Sequence, residues 1–141
     1  MAGTIMVACP PGDVRIQALI ESKLPTVFID AIGTGPHATY VTSDNADGAR
    51  QITEHLLDLG HRRIARVTGT ETDPSGHDRL AGIRQALAAR GVPEDPALAR
   101  RSDWSTDGAY RATLDLLEAR ADFTAVIAES AADKILFWRS F

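Results

Sequence analysis

Residues 44–68 read DNADGARQITEHLLDLGHRRIARVT, and they contain the clearest helix-to-strand pattern in the chain. Apolar residues recur there at steps of three, four and three, the spacing of one helix face: Ala49, Ile52, Leu56 and Leu59. Asp44 is expected to cap the start of this helix, and Gly60 to end it in a left-handed conformation. The apolar run at residues 64–67 follows and predicts a buried β-strand.

The same alternation of strands and helices extends in both directions from this stretch. Upstream, we predict strands at residues 5–8, 26–29 and 39–42, with a helix capped by Asp13 between the first two. Downstream, the pattern predicts a helix through residues 80–87, a weaker strand at 97–101, a helix through 110–117 and a strand at 124–127. Short connections between alternating strands and helices predict an α/β protein with a doubly wound, Rossmann-like parallel sheet.

The composition is typical of a globular protein and argues against several classes. The chain has 141 residues, of which 44% are hydrophobic, enough for one ordinary domain with a buried core. Its net charge of −4 argues against a nucleic-acid surface within these residues, because phosphate binding needs a basic stripe. The single cysteine, Cys9, cannot form an internal disulfide and suits a reducing compartment. We find no signal peptide or membrane-spanning stretch and expect a cytoplasmic protein.

Trp104 and Asp30 stand where α/β proteins bind ligands, at the carboxyl ends of predicted strands, and Arg79 lies in the first turns of a predicted helix after a polar loop. Trp104 offers an aromatic face on which a sugar ring or a base can stack, although a packing tryptophan fits the pattern as well. Arg79 can donate two hydrogen bonds to hydroxyl groups or a carboxylate, or it is a solvated helix arginine. Asp30 can accept hydrogen bonds from sugar hydroxyls, or it forms a turn.

The polar loop before Arg79 supplies two further candidates, Asp73 and Ser75, although such loops are common without function. The sequence has no phosphate-binding loop, nucleophile elbow or dinucleotide fingerprint, so we expect no enzyme and no cofactor. The four histidines lack the spacing of metal ligands, so no metal site is expected. The binding residues are therefore predicted to act without covalent chemistry.

Four motifs in fixed order carry a resemblance to a known family. They are VFID at residues 27–30, GHRRIA at 60–65 continuing to Thr-Gly at 68–69, DRLAGI at 78–83 and DWS at 103–105. From about residue 4 to residue 129 the chain resembles the sensor domains of lactose-repressor (LacI/GalR) family transcriptional regulators. No single motif would establish this likeness, but their order and spacing agree.

The resemblance implies two Rossmann-like subdomains of the periplasmic-binding-protein type with a small effector between them. Residues 1–44 would form a partial first subdomain, residues 45–128 an incomplete second one, and residues 129–141 an atypical tail. By position, Asp30, Ser75, Arg79 and Trp104 match residues that contact the effector in the family. The effector is expected to be a sugar or a nucleoside.

The resemblance also implies a mechanism and partners. In the family, the effector favours one arrangement of the subdomains, and in a homodimer this alters the binding of helix-turn-helix heads to operator DNA. Such a head is absent from these residues, as are the strands and helices that usually open the first subdomain. We therefore expect exposed sheet edges and half-covered apolar faces, leading to poor stability or association.

Two departures from the family pattern leave other functions open. Position 31 holds Ala31 where an arginine is frequent, and residues 129–141 do not follow the usual sequence. A periplasmic sugar-binding protein of a transporter would have the same fold. A nonfunctional truncated remnant that binds nothing is the third alternative.

Overall fold

The structure, a computed structural model, describes residues 3–7, 13–30, 38–70, 73–119 and 122–129. The chain divides into two compact units, Met1–Asp44 and Asn45–Phe141. Each unit has its own parallel sheet and its own hydrophobic core. The predicted tail lies outside the described residues except for Glu129, and so do Cys9 and Ala31.

The first unit is a three-stranded parallel sheet with one helix. Its elements are β1 (Thr4–Val7), α1 (Val14–Glu21), β2 (Thr26–Ile29) and β3 (Ala38–Val41), and the strand order is β1-β2-β3. Asp13 caps α1 as predicted, because its carboxylate accepts a hydrogen bond from the Arg15 backbone N–H at 2.8 Å. The core of this unit forms where Ile16 of α1 packs with Phe28 of β2.

The opposite face of this sheet carries apolar residues that are exposed on the two outer strands, β1 and β3. Val7, Ile29 and Val41 are register partners across the three strands, and Ile5 lies on the same face as Val7. Ile5 is 69% exposed, Val7 60% and Val41 55%. The expectation of a half-covered apolar face is thus confirmed for the described part of this unit.

The second unit is a larger parallel α/β unit. Its elements are α2 (Asn45–Asp58), β4 (Ile64–Thr68), α3 (Pro74–Ala89), a 3-10 turn (Pro96–Leu98), β5 (Ala99–Arg101), α4 (Thr106–Ala119) and β6 (Ala125–Ala128). The strand order is β5-β4-β6, and β4 pairs in parallel with both neighbours. One sheet face packs against α2 and α3, and the other packs against α4.

The strand predicted at residues 97–101 is only partly correct. Asp95 accepts a hydrogen bond from the Ala97 backbone N–H at 2.9 Å, and Pro96 takes the first position of a 3-10 turn. Proline lacks a backbone N–H and has a fixed φ, which suits a turn better than a paired strand. The strand therefore begins at Ala99 and has three residues.

The predicted inward face of α2 is rotated in the structure. Ala49, Thr53 and Leu57 are buried, whereas Ile52 is 46% exposed and Leu59 is 63% exposed. Thr53 can be buried because its hydroxyl donates a hydrogen bond to the Ala49 carbonyl oxygen at 2.7 Å. The prediction followed apolar residues alone and missed a polar residue that is satisfied within its own helix.

Helix α4 shows a similar difference, while the predicted end of α2 is confirmed. Ala109 and Leu116 are buried in α4, whereas Tyr110, the first residue of the predicted helix, is 43% exposed. Gly60 has a φ of +93°, the left-handed conformation that was expected to end α2. Helix positions were thus predicted better than helix faces.

Helices α2 and α3 pack closely against each other at Gly82. A Cβ atom on Gly82 would lie 2.0 Å from the backbone oxygen of Ala46. Only a residue without a side chain fits there, because the neighbouring atom belongs to the backbone and cannot rotate away. This contact holds α3, which carries Arg79, against the start of α2.

Candidate functional site

The carboxyl edge of the second sheet gathers three loops. Because β4, β5 and β6 are parallel, Gly69, Trp104 and Glu129 follow the strands at the same edge. The loops are joined by backbone hydrogen bonds: the N–H of Ser102 donates to the Thr68 oxygen at 2.7 Å, and that of Glu129 donates to the Val67 oxygen at 3.2 Å. This edge is where the sequence placed Trp104.

Trp104 adopts an unusual backbone conformation. Its φ is +66°, in the left-handed region that residues with side chains rarely occupy. The side chain is partly buried, and its indole lies against Gly69. A Cβ atom on Gly69 would lie 1.7 Å from Cζ2 of the indole. The ring therefore occupies the space that a side chain at position 69 would need.

Arg79 connects the start of α2 with two of these loops, those of Trp104 and Glu129. Its guanidinium carbon lies 6.0 Å from the centre of the Trp104 ring, at the limit of cation–π contact. Its Nε donates a hydrogen bond to Oδ1 of Asn45 at 2.9 Å, and its Nη1 donates one to the backbone oxygen of Glu129 at 3.1 Å. The alternative of a simply solvated helix arginine does not describe this partly buried, doubly bonded side chain.

Asp73 and Ser75 lie at the start of α3, one turn before Arg79. The Asp73 carboxylate caps this helix, accepting hydrogen bonds from the backbone N–H groups of Ser75 at 3.2 Å and Gly76 at 3.0 Å. Ser75 precedes Arg79 by four residues, so both lie on one face of the helix. The sequence predicted Asp73 only as a ligand residue, and the structure shows that its side chain caps α3.

Asp30 lies in the first unit, directly after β2. It is exposed and has a φ of +49°, a conformation that aspartate tolerates better than most residues. Its backbone N–H donates to the Val41 oxygen at 3.0 Å, and its carboxylate accepts a hydrogen bond from the Thr42 hydroxyl at 3.3 Å. Asp30 therefore lies at the carboxyl edge of the first sheet, while the other four candidates belong to the second unit.

A local network fixes the residues that flank Trp104. Asp103 accepts hydrogen bonds from both the hydroxyl and the backbone N–H of Ser105, and these bonds lower the pKa of Asp103. The Ser105 hydroxyl oxygen in turn accepts a hydrogen bond from the Gly108 N–H at 2.9 Å. Asp103 is thus ionised at neutral pH and stabilises the turn that leads into α4.

The structure also has a cavity of about 610 Å³ at the amino end of β4, formed by none of the predicted site residues. Apolar core residues and arginines line it. Burial lowers the pKa of one of them, Arg66, which pairs with Glu94 at 2.7 Å, and another, Arg63, pairs with Asp95 at 3.1 Å. Because these guanidinium groups already have carboxylate partners, we favour the carboxyl edge as the ligand site.

Sequence reasoning missed three residues of the carboxyl edge: Asn45, Gly69 and Glu129. Gly69 follows directly after a predicted strand, which is a signal for a loop at this edge. The contact of Asn45 with Arg79 spans 34 residues in the sequence, and no local pattern indicates it.

The described residues contain no group of potential ligands able to hold a metal ion. None of their helices is long and apolar enough to span a membrane.

A family comparison agrees with this geometry. The sequence model of a protein family, described as the periplasmic binding protein domain, matches residues 12–135, which is most of the chain. The chain belongs to this family. The parallel sheets that were predicted from the sequence are the architecture expected of such a domain, and the predicted fold class is confirmed.

This periplasmic-binding-protein domain is similar in sequence to transcriptional regulators. The HTH-type transcriptional regulator CelR of Thermobifida fusca is 34% identical over 134 residues, which cover 91% of this chain and 38% of CelR. The HTH-type transcriptional repressor CytR of Escherichia coli (strain K12) is 31% identical over 121 residues, covering 86% of this chain and 31% of CytR. The chain therefore spans about a third of the length of these relatives, and its resemblance to LacI/GalR-type regulators is confirmed.

Solved structures similar to this chain are also those of transcriptional regulators. The transcriptional regulator CelR–cellobiose complex has a TM-score of 0.82 and 32% identity, with 98% of this chain and 44% of that chain covered. A regulatory protein of the LacI family from Chloroflexus aggregans has a TM-score of 0.78 and 25% identity, covering 99% and 52%. These similar proteins are regulators rather than enzymes.

Proposed function

We propose that this domain senses a small effector, a sugar or a nucleoside, for a LacI/GalR-type transcriptional regulator. The observation that carries the proposal is the pairing of Arg79 with Trp104 at the carboxyl edge of the second sheet. An aromatic ring and a guanidinium side by side suit a ligand that has both C–H faces and hydroxyl groups. Asp30, Asp73 and Ser75 complete the proposed ligand-binding residues.

The first effector to test is cellobiose. It is the sugar in the CelR complex, to which this domain is similar. A glucose disaccharide offers C–H faces for stacking on Trp104 and several hydroxyls for Arg79 and Ser75. A nucleoside could stack on the same ring, so adenosine and cytidine belong in the same panel.

In the complete protein, we propose that effector binding changes the affinity for operator DNA. A ligand achieves this only if it binds one arrangement of the protein more tightly than another. DNA contact would come from a helix-turn-helix head outside these residues, and the complete regulator would act as a cytoplasmic homodimer. The acidic charge of the chain, −4, agrees with DNA binding outside it.

We propose binding without catalysis or cofactor. Arg79 and Trp104 can recognise hydroxyl groups and ring faces, and within the described residues the Arg79 guanidinium donates its hydrogen bonds to the Asn45 amide oxygen and the Glu129 backbone oxygen. Cellobiose incubated with the protein should therefore be recovered unchanged by chromatography. Release of glucose would contradict this part of the proposal.

Thermal unfolding with and without each compound tests the proposal. An effector that binds only the folded state at a hundredfold excess over Kd stabilises it by about 2.7 kcal/mol, which raises the melting temperature. The Arg79→Ala variant serves as the control, since it removes the proposed hydrogen-bond donor. A cooperative melt that no sugar or nucleoside shifts would overturn the proposed function.

A further inference from the structure

We propose that Gly69 is a positioning residue of the effector site, because its missing side chain leaves the space in which the Trp104 indole is held. This inference rests on the proposed function and adds a residue that touches the aromatic ring rather than the effector. Gly69 matters here through the room it leaves, since its own φ is not in the left-handed region.

The geometry at Gly69 is unusually tight. A Cβ atom there would lie 1.7 Å from Cζ2, 2.0 Å from Cε2 and 2.3 Å from Cη2 of Trp104. These atoms belong to the six-membered part of the indole, so any side chain at position 69 must displace that ring. The displaced atoms are those of a side chain, and the backbone of the sheet does not have to move.

Two other features restrict the position of the indole: the backbone conformation of Trp104 and the contact with Arg79. The φ of +66° at Trp104 fixes the direction in which the side chain leaves the chain. Arg79 lies 6.0 Å from the ring centre and is itself held by Asn45 and the Glu129 backbone. A ring confined in this way loses little freedom when a ligand stacks on it, which favours affinity.

The test is a double-mutant cycle between Gly69→Ala and Trp104→Phe, with cellobiose affinity measured by isothermal titration calorimetry. Gly69→Ala alone should weaken binding about tenfold, because it pushes the indole out of position. Phenylalanine lacks the second ring that meets the new methyl group. In the Trp104→Phe background, Gly69→Ala should therefore change affinity by no more than roughly twofold.

Gly48→Ala is the matched control, because a Cβ atom on Gly48 would meet nothing within 4 Å. It should leave the affinity for cellobiose unchanged. If Gly69→Ala does not fold, Trp104→Phe should restore folding in the double variant, which identifies the same contact. A Gly69→Ala protein that binds cellobiose as tightly as the parent overturns the proposal.

A measurement without ligand separates this inference from the proposed function. The chain has two tryptophans, so Trp138→Phe leaves Trp104 as the single indole emitter. In that background, Gly69→Ala should shift the fluorescence emission maximum, and Gly48→Ala should not. If no sugar or nucleoside binds the parent, the proposed function fails and the emission shift alone decides the role of Gly69. An unchanged spectrum overturns it.

Discussion

Trp104 is held at φ +66°, a conformation that costs a residue with a side chain about 1 to 2 kcal/mol relative to the usual regions. Strain of this kind persists only where the surrounding structure enforces it, and it is frequent at ligand sites. Here the surrounding contacts come from Gly69 and from the Asp103–Ser105 turn. The strained backbone and the indole orientation therefore belong to one feature.

Two substitutions of Trp104 distinguish the cost of its strained backbone from the contribution of its ring to sugar binding. Trp104→Gly relieves the strain, whereas Trp104→Ala keeps it, so the glycine variant should be more stable than the alanine variant by about 1 kcal/mol. Both variants should lose affinity for the sugar, because both lack the ring. Urea denaturation gives the stabilities and calorimetric titration the affinities. Equal stability of the two variants would show that the left-handed conformation stores no strain.

Asp13 gives a prediction about pH. Hydrogen bonds from the Arg15 side chain and backbone lower the pKa of Asp13 to about 2, below its ordinary value of 3.8. Because the folded-state pKa is lowered, the stabilisation is fully present above the unfolded pKa and is lost as the pH falls through about 2. Circular dichroism melts between pH 5 and 2, comparing the parent with Asp13→Asn, should show the difference in stability shrinking toward low pH. A constant difference would rule out this linkage.

At the scale of elements, the contact between α2 and α3 depends on Gly82. Gly82→Ala places a methyl group 2.0 Å from the Ala46 oxygen, so the helices must separate and stability should fall by about 1 to 3 kcal/mol. Gly48→Ala in α2 meets no neighbour and should instead stabilise by about 0.5 to 1 kcal/mol. Urea midpoints of the two variants provide the comparison. A neutral Gly82→Ala would mean that the helices are not held at this distance.

The order and type of the elements were predictable because apolar periodicity and turn residues are local signals. Strand β2 and the ends set by Asp13 and Gly60 agree with the structure. Helix faces were less predictable, since Thr53 hides its hydroxyl within α2 and takes a core position. The candidate site shows the same limit. The location of Trp104 at the carboxyl edge was predictable because Trp104 comes shortly after a strand in the sequence. The hydrogen bond between Asn45 and Arg79 was not, because it depends on how distant segments fold together.

At the scale of the whole molecule, the two units have unequal cores. In the described residues, the core cluster of the first unit has two buried apolar side chains, Ile16 and Phe28, while several helices and strands contribute to the cores of the second. Regions with few buried apolar contacts open more readily than the rest of a protein. The first unit is therefore expected to unfold locally before the second.

Limited proteolysis measures this difference. Thermolysin at low concentration should first cleave within Met1–Asp44 and leave a resistant fragment that begins near Asn45. Mass spectrometry identifies the fragment. Early cleavage within α2 or α3 would show that the second unit is the less stable one.

The exposed apolar residues Ile5, Val7 and Val41 on one face of the first sheet also affect how the protein behaves at high concentration. Molecules that meet through such faces are kept apart by their net charge of −4, which disappears as acid protonates the carboxylates. Sulfate strengthens apolar association in the same direction. The ammonium sulfate concentration that precipitates this chain should therefore be lower at mildly acidic pH than at neutral pH. A dilute, slightly alkaline buffer should keep the chain dispersed.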